Sequence, residues 1–216
     1  MISINRKAVR AAGGTQSDEL QAKIKSVTSS TTVGAVFLYD TRNDSDPSWR
    51  KRCQGLSWFD EDLNTATRGG RREFPSVALI VADTSGNTSV TIYDLDDPAM
   101  PAWMVFNGGN GYAVHHPDNA HVPSSLFALN GRIYLGQDGA GGELCVFDFV
   151  EDFAWMIDGY AANHVSRGPL VNRNTTQTGT SLGGSILVNS VVNDVAATIV
   201  EGAEIGALGL PIPTVA

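Results

Sequence analysis

The sequence predicts an all-β chain: repeated short antiparallel sheets, partly β-propeller-like, with one short helix near the N-terminus. Three observations carry this. The 216 residues include 23 glycines among many serines, threonines and asparagines, a composition that supplies turns. Apolar residues alternate over short runs, as they do on half-buried strands. A strand–acid–tryptophan motif also recurs: "AVFLYDTRNDSDPSW" ends at Trp49, "VTIYDLDDPAMPAW" at Trp103 and "LCVFDFVEDFAW" at Trp155. The aspartates Asp40, Asp94 and Asp148 are spaced 54 and 54 residues apart, and the tryptophans 54 and 52. A β-sandwich or jelly roll is the alternative arrangement for such strands.

From the N-terminus, residues 1–14 are polar and end in a Gly-Gly break, so they read as an extended arm. "TQSDELQAKIKSVTSS" (15–30) reads as a helix. Thr15 or Ser17 can cap it, Asp18 and Glu19 suit its positive end, and Leu20, Ile24 and Val27 share one face. So short a helix needs something to dock on, either its own domain or another subunit.

In each motif the aspartate ends a strand by accepting backbone N–H groups. Pro98 and Pro101 stop the ladder, and the tryptophan begins the returning strand. Further strands are "SVALIVA" (76–82), "LFALN" (126–130) before Gly131, and "RIYLGQ" (132–137), with turns at "DTSGN" and "DGAGG". Three or four strands per unit of about fifty residues describe a propeller blade, which buries both faces only by stacking. The sequence is therefore read as three blades and the start of a fourth. "VVNDVAATIV" (191–200) and "LPIPTVA" (210–216) supply its strands, with the chain expected to continue beyond 216. The domain division is an arm and docking helix over 1–30 and a β-repeat domain over 31–216.

The segment 48–75 interrupts the repeat. Arg50, Lys51 and Arg52 form one basic cluster, and Arg68, Arg71 and Arg72 another, with Asp60, Glu61 and Asp62 between. The interleaved acids and a net charge of −8 favour an internal or intersubunit ion-pair network over nucleic-acid binding. The longest apolar run, Val77 to Ala82, is too short to span a bilayer, and the basic N-terminus lacks a secretory apolar stretch. Cys53 and Cys145 make no disulfide framework and read as buried thiols.

Catalytic and cofactor patterns are weak. Gly179-Thr180-Ser181-Leu182-Gly183 matches G-x-S-x-G, but no strand-to-helix elbow surrounds it and the last histidine is His164. "HHPDNAH", with His115, His116, Asp118 and His121, places adjacent histidines on opposite sides of an extended segment and reads as a loop. Asp40, Asp44 and Asp46, like Asp94, Asp96 and Asp97, lack a calcium-loop pattern and read as turn carboxylates. Glu143, Glu151 and Asp152 can be imagined as a glycosidase pair, but carboxylates are common and linear sequence gives no separation between them, and "NGGNG" (107–111) precedes no helix. No catalytic residue, cofactor or metal site is assigned.

"LNTATRGGRREFPSVALIVA", "VTIYDLDDPAMPAWMVFN" and "LPIPTVA" resemble, as a pattern over residues 33–216, bacteriophage virion structural proteins. The likeness is to the tail and tail-fibre components of marine-type tailed phages. "YDLDDPAMP" also looks like the Asp-Pro turn of LVIVD-type propeller repeats. The resemblance implies a non-enzymatic tail component that anchors or extends a fibre and is assembled in the bacterial cytoplasm. It also implies other virion subunits as partners and a homotrimer. The helix stripe and the six basic residues are then the expected docking elements. Two alternatives remain. One is a host-glycan-binding propeller using Trp58, Tyr112 or Trp155 as sugar platforms. The other is a glycan hydrolase whose acids lie beyond residue 216.

Overall fold

The computed structural model describes residues 14–84, 89–107, 122–138, 143–158, 163–167, 180–181 and 191–216. Helix α1 spans Gly14–Thr28. Strands β1 (Val33–Asp40), β2 (Val77–Asp83), β3 (Ser89–Asp94) and β4 (Ala102–Asn107) form one antiparallel meander in that order. Strands β5 (Val122–Leu129), β6 (Arg132–Asp138), β7 (Glu143–Asp148), β8 (Phe153–Asp158), β9 (Asn163–Arg167) and β10 (Thr180–Ser181) form a second. A small ribbon pairs β11 (Ala197–Thr198) with β12 (Thr214–Val215). The chain is all-β with antiparallel sheets and a short N-terminal helix.

The helix starts at Gly14, so Thr15 and Ser17 lie inside it rather than at its cap. The turns at 85–88 and 139–142 and the "HHPDNAH" segment lie outside the described residues.

Among the described residues two large sheets, not three blades, account for the repeat. Asp94 ends β3 and Asp148 ends β7, the third strand of each meander. Asp40 instead ends β1, and Trp49 sits in a 3-10 turn (Pro47–Arg52) rather than on a returning strand. The 54-residue period is therefore real for β2–β4 against β6–β8, and Asp40 belongs to a different place in the topology. The anticipated fourth unit reduces to the β11–β12 ribbon.

Register shows how the sheets stack. Ala78 pairs with Asp94 in the first sheet as Arg132 pairs with Asp148 in the second. By that correspondence Ile80 matches Tyr134, Ile92 matches Val146, and Leu79 matches Ile133. On sheet one Ala78, Ile80, Val90, Ile92, Met104 and Phe106 point into the central core. Their counterparts Tyr134, Leu144, Val146 and Trp155 lie on the far side of sheet two. The central core is completed by the opposite face of sheet two, through Ile133, Leu135, Cys145 and Phe147. The front of one sheet thus rests on the back of the next, as blades stack. The two approach closely at β1 and β5, where a Cβ added to Gly34 would lie 2.6 Å from the Pro123 carbonyl oxygen. Phe37–Phe127 at 5.3 Å and Phe106–Phe147 at 4.5 Å join the sheets further.

Each outer face has a cover. Leu20, Ile24 and Val27 of α1 pack on the back of sheet one, against Leu79, Val81, Val36 and Leu38. The docking stripe is therefore turned onto the chain's own domain. Val195, Ala197 and Val215 cover the front of sheet two. The edge of β4 is closed by the insertion: Gly69 N–H donates to the Trp103 carbonyl and Val105 N–H to the Thr67 carbonyl, both at 2.9 Å.

One core position breaks the pattern. Gln137 extends the Ile133–Leu135 face and is fully buried, and neither amide atom has a hydrogen-bond partner among the described residues. An unsatisfied buried amide costs on the order of 1–3 kcal/mol. Gln137→Met is expected to raise the thermal midpoint by roughly 2–6 °C in a melting experiment. An unchanged or lowered midpoint would show that the amide is satisfied.

Candidate functional site: the insertion that fastens two sheets

The insertion between β1 and β2 concentrates the chemistry anticipated from sequence. Its first task is packing. Trp49, Trp58 and Phe74 are essentially fully buried in one cluster with Trp103 of β4 and Phe149, the residue after β7. Phe74 lies 4.8 Å from Trp103 and 5.0 Å from Phe149, and Trp58 lies 5.4 Å from Phe149. The Trp58 indole N–H donates to the Phe149 carbonyl at 2.9 Å, satisfying its one polar atom. Trp58 is thus a core residue, and Trp155 is half-buried beneath the C-terminal segment; neither is an open sugar platform. Tyr112 lies outside the described residues.

Asp44 is the polar centre. Its carboxylate accepts the Tyr39 hydroxyl at 2.6 Å, the Trp49 indole N–H at 2.8 Å and the Asn130 backbone N–H at 2.8 Å. Burial pushes the Asp44 carboxyl up, and the donors from Tyr39, Asn130 and Trp49 pull it down. Three donors and no acceptor around it favour the ionised form. Burial, with Asp44 beside it, holds the Tyr39 phenol well above its ordinary range. The Tyr39 oxygen in turn accepts Gly131 N–H at 2.7 Å. Asn130 returns the favour: its side-chain oxygen accepts Ser45 N–H at 2.9 Å, and its amide donates to the Ser45 hydroxyl and, at 2.9 Å, to the Pro211 carbonyl. One knot therefore ties β1, the insertion, the β5–β6 hairpin and the C-terminal segment.

The recurring aspartates share a local design. Asp40, Asp94 and Asp148 each accept the backbone N–H two residues on, from Arg42, Asp96 and Val150. Each also meets an arginine. Arg42 binds Asp40 at 2.7 Å, Arg71 reaches Asp94 at 3.1 Å, and Arg132 binds Asp148 at 2.7 Å. The last pair is almost wholly buried, and burial raises the Asp148 carboxyl against the pull of Arg132.

The basic clusters are mostly spent inside the chain. Arg50 donates to Glu73 and to the Phe74 carbonyl, at 3.1 and 2.8 Å. Arg52 pairs with Asp46 at 2.7 Å and donates to the Leu208 carbonyl at 2.6 Å. Arg68 is 2% exposed, stacks 4.2 Å above Trp103 and donates to the carbonyls of Arg71, Arg72 and Trp103. Burial pulls its guanidinium down to about 10. Arg71 bridges Asp94 and Asp96, and Arg72 donates to the Phe59 carbonyl. Lys51 and Arg52 are the exposed members of the six, and Lys51 takes no part in these bonds. These ion pairs lie within the chain.

The remaining candidates sit as follows. Ser181 lies on β10 opposite His164 of β9, and the residues that follow it lie outside the described ones. Glu143 is buried in β7, Glu151 accepts Ala207 N–H at 2.8 Å, and Asp152 accepts Ser57 N–H at 2.6 Å. Among the described residues no group of three or more His, Cys, Asp or Glu side chains is placed to hold a metal. Burial pushes the Cys53 thiol up to about 12 and the Cys145 thiol well above its ordinary range, so neither is an activated nucleophile. Sequence reasoning missed Asp44 and Asn130 as partners. The only available signal was the Asn-Gly dipeptide, which marks a tight hairpin.

Comparison with protein-family models, curated proteins and solved structures gives no match.

Two measurements test this arrangement. Asp44→Ala strands three buried donors and is expected to cost about 3–5 kcal/mol, read in urea unfolding. A loss below about 1 kcal/mol would deny the knot its role. Asp46, on the surface, is held at about 2 by hydrogen bonds from Ser48 and by Arg52. Its folded value lies below the unfolded one of about 3.9, so its contribution is complete above about pH 4 and is lost as pH falls through about 2. Asp46→Asn should flatten the acid limb of the stability profile in that window, lowering stability slightly at neutral pH and leaving it nearly unchanged below about pH 2.

Proposed function

We propose that this chain is a non-enzymatic structural protein of a phage virion, built into the tail or tail fibre beside other tail subunits. In this reading it is assembled in the bacterial cytoplasm as a homotrimer. The observation that carries the reading is where the chemistry goes. The insertion's tryptophans, Asp44, Arg68 and Arg71 are engaged within the fold, in the core between the sheets or on sheet one. A side chain already satisfied by the fold is poorly placed to bind substrate or shuttle protons. What remains for partners is surface, in keeping with the tail-protein resemblance of the sequence.

Lys51 offers a clean test because it is exposed and outside the core. Particles should carry the chain at fixed stoichiometry, seen by mass spectrometry and tail-directed immunolabelling. Lys51→Glu should lower incorporation several-fold while the melting curve stays as it was. Light scattering of the purified chain should give three times its 22.9 kDa mass. Absence of the chain from purified particles would overturn the virion reading, and a monomer mass would remove the trimer.

A further inference from the structure

The geometry points to a latent self-modification site at Asn130–Gly131, held off by the native knot and released when the knot opens. The pair forms the two-residue loop between β5 and β6, with Leu129 paired to Arg132. Asn130 has φ 51° and Gly131 φ 72°, the left-handed pair of a type I′ turn. A Cβ at Gly131 would lie 2.6 Å from Val150 and 3.2 Å from Trp49, so glycine is required there. An asparagine followed by glycine carries its own reaction. The glycine nitrogen loses its proton to hydroxide and attacks the asparagine Cγ. The new N–Cγ bond closes a five-membered imide, and the Cγ–N bond breaks with release of ammonia. Water then opens the imide at either carbonyl, leaving aspartate or isoaspartate.

Every atom of that reaction is restrained in the folded chain. The nucleophile, Gly131 N–H, donates to the Tyr39 oxygen at 2.7 Å. The electrophile's oxygen accepts Ser45 N–H, and its departing nitrogen donates to the Ser45 hydroxyl at 3.1 Å and the Pro211 carbonyl at 2.9 Å. Asn130 is 0% exposed, so hydroxide and water have no path to it. Reaction requires the side chain to swing off three partners, which only local or global opening allows.

The product cannot retie the knot. Aspartate has no N–H for Ser45 or Pro211 and sets a second carboxylate beside Asp44, whose oxygen accepts the Asn130 N–H. Isoaspartate adds a methylene to a two-residue turn and breaks its register. Opening followed by deamidation is therefore a one-way step that records each excursion of the chain from its native state.

The full chain, held in mildly alkaline buffer with and without urea, tests this by peptide mapping with isoaspartate detection. Asn130 should react at least about tenfold more slowly in the folded chain than in urea. In urea it should keep pace with Asn107 and Asn110, which also precede glycine. Equal rates at Asn130 with and without urea would overturn the proposal. Asn130→Asp, the direct product, should melt well below the parent or fail to fold. A parent-like midpoint would show that the product reties the knot and would overturn the one-way step.

Discussion

The structure depends on one buried carboxylate. Asp44 sits just past the first strand, yet its three donors come from β1, the insertion and the second sheet. A charge in such a place is tolerable only if every lone pair facing the interior is used. Using them draws Tyr39, Trp49 and the β5–β6 hairpin to a common point. Once that point exists, Trp49 is aligned beside Phe74, and Phe74 beside Trp103 and Phe149. The hydrophobic cluster supplies most of the free energy and the carboxylate supplies the address. Apolar contact is non-directional, so packing alone would not choose among nearby arrangements of so many rings.

How much of this was legible follows from the range of each interaction. The strand ends were legible because an aspartate taking the N–H two residues on is a local event, written within three residues at Asp40, Asp94 and Asp148. The same locality misled the count of units. The motif reports that a strand ends, not which strand of a meander it is, so it sets Asp40 in series with two aspartates that occupy a different position. The helix stripe was legible as a stripe, since Leu20, Ile24 and Val27 follow helical spacing. Its target was not, because sheet-one residues such as Leu79 and Val81 alternate with core residues and carry no mark of which side meets a helix. Asp44 and Asp46 differ by two positions and share a composition, yet one is buried and the other caps a surface turn. That distinction is set by Asn130, 86 residues away, and no local pattern contains it.

The basic insertion illustrates a related point about charge. Six cations in a short segment suggest an anionic partner when read as a list. In the fold, Arg68 and Arg72 are spent chiefly on carbonyl oxygens, Arg50 on a carbonyl and a carboxylate, and Arg71 on carboxylates. A guanidinium has five donors in a fixed plane, which suits the scattered carbonyls of a long irregular segment better than an ammonium would. Arginine here does for an insertion what a hydrogen-bonded ladder does for a strand. It satisfies backbone groups that would otherwise be buried unpaired. The price of this device is visible at Arg68, whose Nε has no hydrogen-bond partner among the described residues.

Front-to-back stacking explains why the chain needs both of its covers. Two sheets that met through equivalent faces would bury both at once and present their polar sides outward. Stacking in one direction instead leaves an apolar back at one end and an apolar front at the other, whatever the number of sheets. Here the back belongs to Leu79 and Val81 and the front to Tyr134, Leu144 and Val146, all of them buried. The amphipathic helix closes the first and the segment around Val195 closes the second. The two ends are not closed equally. Val36, Leu38 and Tyr93 beneath the helix are only half-buried, whereas their counterparts Leu126, Ala128 and Phe147 beneath sheet one are buried. A helix touches a sheet along one stripe, while a sheet covers it across several strands. The helical end is therefore the thinner closure, as the geometry of a cylinder on a plane requires.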